Sequence, residues 1–171
     1  MKKRYNILLA CSLILALTSC GPSKEEAINY NDQIISEQKM IADKINILNN
    51  SLTQNAPGLM DEAYRQVLIQ LDSGTVNVAK MGDFDGKTEF REASLKLFAV
   101  YKSVIHGEYK TMVDILKNSG AEMTPRAKDE FLSIREQASK KVENGMKEFR
   151  KTQDDFADKY GLVLDNTTGV N

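Results

Sequence analysis

The side chains able to do chemistry are few and scattered. The chain has one histidine and two cysteines among 171 residues, and no tryptophan. A di-iron bundle needs inward carboxylates and Glu-x-x-His pairs, but Ser103 stands three residues before His106. Haem attachment needs Cys-x-x-Cys-His, which the chain lacks. One histidine in a helical stretch, with no nucleophile elbow, makes no Ser/His/Asp grouping. No Gly-rich loop follows a strand pattern, so no phosphate cradle is visible. With no convergent acid, base and nucleophile, the sequence predicts no enzyme, no cofactor and no metal centre.

The nearest approach to an ion site is Asp83-x-Asp85-Gly86, with Glu89 and Glu92 beyond. In EF-hand register Asp83, Asp85, Gly86 and Glu92 match, but Met81 replaces the first ligand. A hard cation wants six to eight oxygens. The expectation is an Asp/Gly turn between helices. Glu89 and Glu92 then sit in a helix's first turns, where the dipole favours acids.

Cys20 carries the clearest chemistry. Met1-Lys2-Lys3-Arg4 is a basic start, and Ile7 to Leu17 is an apolar run of eleven residues broken only by Ser12. That run is short of the roughly 20 residues a bilayer span needs, and it reads as a secretory signal. Leu17-Thr18-Ser19-Cys20-Gly21 then resembles the lipobox of bacterial lipoproteins. The resemblance implies cleavage before Cys20 and acylation of its thiol and new amino group. Two or three acyl chains anchor stably where one would not. Residues 1–19 hold three bases and no acid, so cleavage takes the net charge from −1 to −4. Cys11 leaves with the signal, so the mature fold has no free thiol. Nucleic acid is not an expected partner of this acidic chain.

After Cys20, Ser23-Lys24-Glu25-Glu26 has two readings. It looks like the export signal of surface-exposed Bacteroidota lipoproteins, a Lys and two acids just after the Cys. Ser23-x-x-Glu26 is also a capping box.

Four long amphipathic segments would position these residues. From residue 24 to 54, Ala27, Asn31, Ile34, Gln38, Ile41, Ile45, Leu48 and Leu52 alternate at spacings of four and three. That is a heptad seam. Asn31 and Gln38 interrupt it, either fixing register or lining a small ligand groove. Pro57 opens a second helix to about 81, with Gly74 on its stripe as room for a neighbour. A third, about 88–118, carries Leu97, Phe98, Tyr101, Ile105, Tyr109 and Met112, and Gly107 does not break its period. Thr124-Pro125 starts a fourth, to about 160, marked by Phe131, Ala138, Phe149 and Phe156. Its Lys140-Lys141 and Lys147/Arg150/Lys151 runs alternate with Glu136, Glu143 and Glu148, which suits a solvated face with i,i+4 pairs. The other methionines are spaced like gap-filling core.

The expected fold is an all-α, four-helix, up-down-up-down bundle over residues 20–161, with 162–171 as a C-terminal tail. Phe131, Phe149, Leu97, Tyr101 and Ile45 are its expected core. Glu26-Ala27, Tyr30-Asn31-Asp32-Gln33-Ile34 and the long helix behind them resemble a family of small surface lipoproteins of leptospires and Bacteroidota. That family carries no catalytic residues over. The resemblance implies an outer-membrane or surface location; the expected partners are the membrane, through the lipid anchor, and a protein in the envelope or outside the cell. A non-enzymatic partner-binding or structural module is the leading expectation. A small-ligand or ion-binding lipoprotein, using the inter-helix cavity or the Asp83 loop, is the alternative.

Overall fold

The computed structural model describes residues 21–120 and 122–164. The signal segment, Cys20 and the tail from 165 onward lie outside the described residues. Helix α1 spans Lys24–Thr53 and α2 spans Pro57–Ala79. Helix α3, Glu89–Val104, continues through a π turn at Ile105–Tyr109 into α4, Lys110–Ser119. Helix α5 spans Pro125–Tyr160. With α3 and α4 as one rod, four helices pack against each other, and no sheet forms among the described residues.

The starts and stops follow local chemistry. Ser23 and Glu26 form the full capping box: the Ser23 hydroxyl accepts from the Glu26 N–H, and the Ser23 N–H donates back to the carboxylate at 2.6 Å. Those bonds hold the Glu26 carboxyl below its ordinary range. The Thr124 hydroxyl accepts from the Ala127 N–H, and Pro57 and Pro125 occupy first-turn positions where no N–H is needed. Gly161 ends α5 in the left-handed region at φ 66° and ψ 34°. Between α2 and α3, Asp85 and Gly86 both take positive φ, and Phe84 and Lys87 exchange backbone hydrogen bonds of 3.0 Å across them. This is the Asp-Gly hairpin turn.

Contacts at the ends fix the topology. Tyr30 near the start of α1 donates to the Gly82 carbonyl after α2, and Lys159 at the end of α5 bonds Asp85 before α3. At the other end, Tyr109 donates to Asn49 of α1, and Lys117 of α4 pairs with Asp61 of α2. The helices therefore alternate in direction. We call the end beside residue 21 the near end and the other the far end.

Ile34, Ile41 and Leu48 of α1 meet Met60, Val67 and Leu71 of α2, with Leu97, Phe98, Ile105 and Met112 from the α3–α4 rod. Gly74 is the close approach that its place on the stripe predicts, and the neighbour is α1. A Cβ there would lie 3.1 Å from Ile41 and 3.3 Å from Glu37. Gly145 does the same for α5 on α3, its Cβ position lying 3.3 Å from Val100.

The contribution of α5 is small. Only Ala138, Phe149 and Ala157 of its 36 residues are buried, against eight of 30 in α1. The expected core is met by Leu97, Tyr101 and Phe149. Ile45 and Phe131 are only half-buried, because α1 and α5 meet each other at few points. Leu162 and Leu164 are half-covered, while Val163 is 92% exposed.

Candidate functional site

The seam between α1 and α5 closes at the near end and opens at the far end. Tyr30 of α1 stacks on Phe156 of α5 at 5.9 Å between ring centroids, and Phe84 and Phe90 pack on both rings. One turn in, buried Asn31 accepts from Gln153 Nε2 at 2.9 Å and donates to Asp32 at 3.1 Å. Two turns further, the Gln38 amide and the Tyr101 hydroxyl both point at the Met146 sulfur, at 3.2 and 3.1 Å. Burial pushes the Tyr101 hydroxyl up to about 12, opposed by its hydrogen bond with Gln38 and the nearby positive charge of Arg150.

A groove of about 1650 Å³ runs along α5 on both sides of Met146, from Phe131 to Asp155. Buried Tyr101, Met112 and Leu116 lie beneath it, with half-buried Met123 from the α4–α5 connection; Asn49, Leu52 and Thr53 form the α1 wall, and α5 from Phe131 to Asp155 forms the other. Near the Tyr109–Asn49 bond of 2.8 Å, burial raises the Tyr109 hydroxyl, and the Arg135 charge opposes that rise. Arg135 and Arg150 are thus felt at the two tyrosines inside the rim. Among the described residues, Arg135, Lys147, Arg150 and Lys151 are in no ion pair.

The sequence placed Asn31 and Gln38 correctly on the inner face of α1, and both belong to the closed stretch of the seam rather than to the groove. It did not find the groove. Of the methionines that read as core filler, Met112 is buried in the core, while Met123 and Met146 are only half-covered where they line the groove. The i,i+4 pattern on α5 is realised in part. Glu136 and Lys140 pair at 2.6 Å, but Glu143 and Lys147 form no ion pair, and Lys141 reaches instead to Glu108 in the π turn. His106 in that turn is exposed.

Both aspartates of the Asp83–Glu92 loop face protein cations. Asp83 pairs with Arg91 at 2.8 Å. Asp85 accepts from Lys159 at 2.6 Å and from the Tyr160 hydroxyl at 2.9 Å, which holds its carboxyl below the usual range. Among the described residues, no group of three or more His, Cys, Asp or Glu is placed to hold a metal ion. No helix among them is long and apolar enough to cross a membrane.

The chain matches no family, no curated protein and no solved structure.

Proposed function

We propose that this chain is an envelope lipoprotein, held to the outer membrane by acyl chains on Cys20, whose bundle is a non-enzymatic module for binding a protein partner. The order of basic start, apolar run and lipobox supports the anchor. The observation that carries the binding role is the α1–α5 groove, which half-buried Met123, Phe131, Val142 and Met146 and exposed Leu132 line together with the charged side chains of α5. A tether at one end and an open groove toward the other suits a receptor-like module presented away from the membrane surface. The ion-binding alternative has less support, since Asp83 and Asp85 already have cationic partners.

The test has two arms. Cys20→Ala should abolish incorporation of labelled palmitate and release the protein from membranes. Wild-type partitioning by that variant sinks the anchor. In intact cells, a photo-crosslinking residue at exposed Ser139, in the groove, should capture a protein that one at exposed Ser73 on α2 does not. Equal capture at both positions, or none at Ser139, removes the groove from the reading.

A further inference from the structure

We propose that the near end of the bundle rests on the bilayer, with Leu162, Val163 and Leu164 entering its headgroup layer beside the acyl chains on Cys20. The inference rests on the anchor half of the reading above and says how the anchored bundle meets its membrane.

Reach is the first support. Ser23 caps α1, and Lys24 opens it. Cys20 is three residues before that cap, and an extended chain covers no more than about 11 Å in three residues. No long linker therefore separates the acylated residue from the first turn of the bundle. Whatever shares the level of that turn is held close to the lipid surface.

Level is the second support. Gln153 of α5 donates to Asn31 of α1. The two helices run in opposite directions with the same rise per residue, so Tyr160 stands level with Lys24. These are the last residue of α5 and the first of α1. Gly161 then turns the chain in the left-handed region, and the Leu162 N–H closes the turn on the Ala157 carbonyl at 2.9 Å. Residues 162–164 thus leave the bundle at the level of the α1 cap.

Surface character is the third support. Val163 is 92% exposed, whereas no other exposed large apolar side chain among the described residues exceeds 56%. Leu162, Leu164, Tyr160 and Phe84 are half-buried around this end, with Phe84 edge-on to Tyr160 at 5.1 Å. Apolar side chains with a tyrosine among them suit the headgroup boundary. Lys24, Lys87 and Lys159 are outnumbered here by acids such as Glu25, Asp83 and Asp158. The contact is therefore apolar and does not call on anionic lipid. So small a surface would not hold a free protein to a bilayer. On a short tether it acts at the effective concentration of a linked site, about millimolar or above.

The experiment uses the mature acylated protein in phosphatidylcholine vesicles. The chain has no tryptophan, so Val163→Trp and, separately, Leu59→Trp at the far end each carry a single fluorophore at an exposed position. Emission from Val163→Trp should shift to the blue on reconstitution and be quenched by lipids brominated about 5–10 Å below the headgroups. Leu59→Trp should keep its water-like emission. In the wild-type protein, a lipid spin-labelled near its headgroup should broaden the Val163 methyl signals and leave those of Leu59 sharp, which rules out the introduced indole as the cause of the contact. Water-like emission from Val163→Trp in vesicles, while Cys20→Ala is still released from membranes, overturns the contact and leaves the anchor standing. Equal quenching at both positions lays the bundle on its side and also overturns it. Blue emission from Val163→Trp in the Cys20→Ala background without lipid assigns Val163 to the segment from 165 onward or, where the shift grows with protein concentration, to a second copy; either result overturns the proposal. Wild-type membrane partitioning by Cys20→Ala removes the anchor and this inference with it.

Discussion

The two ends of the bundle are built from the same pair of helices and behave differently. At the near end α1 offers Tyr30 and Asn31, and α5 answers with Phe156 and Gln153: rings on rings and an amide on an amide. At the far end α1 offers Asn49 and Thr53, and α5 offers Arg135, Ser139 and Glu143. Side chains that prefer water do not draw two helices together, so the seam stays open over the apolar floor. The lesson is that helix pairing here is decided segment by segment. One continuous helix is a core element for one stretch and a groove wall for another.

The largest test of that contrast uses two phenylalanines of α5. Phe149 is 2% exposed and stacks on Phe90 at 5.7 Å, while Phe131 is half-buried on the groove. Phe149→Ala should cost about 3–5 kcal/mol in denaturant unfolding. Phe131→Ala should cost less than about half of that, because its pocket is open to water already. Equal costs would show that the far end is as closely packed as the near one.

A smaller effect tests the closed seam. Asn31→Ala leaves the Gln153 amide without its acceptor, and should cost about 1–2 kcal/mol. In a double-mutant cycle with Gln153→Ala the two losses should not add. Additive losses would mean the amide pair does not hold α5 to α1.

The boundary between the two regimes is Tyr101, and it has a pH signature. Its folded value near 12 lies above the ordinary 10. Both states are protonated below pH 10, so the stability is fully present there. It is lost as pH rises through the window from 10 to 12, where the unfolded phenol ionises first. At pH 11 the loss is about 1 kcal/mol. The fall in unfolding free energy between pH 9 and 11 should therefore be smaller by that amount in Tyr101→Phe. Identical falls in both proteins would place the hydroxyl in water.

The smallest effect belongs to the near-end loop. Asp85 is exposed and paired, so Asp85→Asn should leave the denaturant midpoint close to that of the wild type. Millimolar calcium should not move the melting temperature through this loop. A calcium shift abolished by Asp85→Asn would reinstate the ion site and give the near end a binding role of its own.

Much of the fold was legible. The α1 stripe named Ala27, Asn31, Ile34, Gln38, Ile41, Ile45, Leu48 and Leu52, all of them buried except half-buried Ile45, because a heptad pattern records which face meets a neighbour. The same reasoning marked Phe131, Ala138, Phe149 and Phe156 on α5, of which only Ala138 and Phe149 are buried. Periodicity gives the direction in which a side chain points. It does not give the distance to a helix far away in sequence, and the α1–α5 separation is what makes the groove. Met146 misled for the same reason, since it has core spacing but is only half-covered beside the groove, whereas Met112 is core as its spacing predicts.

The π turn carries a consequence for the chain's tolerance of length change. From Leu97 to Leu116 the inward positions 97, 101, 105, 109, 112 and 116 make five steps over 19 residues, about 3.8 per step against the 3.6 of an α-helix. The excess is one residue, and the wider turn at Ile105–Tyr109 absorbs it. Deleting Gly107 would bring the average to the α-helical value and leave Met112 and Leu116 facing inward. Deleting a residue a few turns earlier, such as Lys96, would swing everything after it by about 100° up to the π turn. The rod therefore contains one place where a codon can be lost without rotating the groove's floor, and it is the place where the helix looks most irregular.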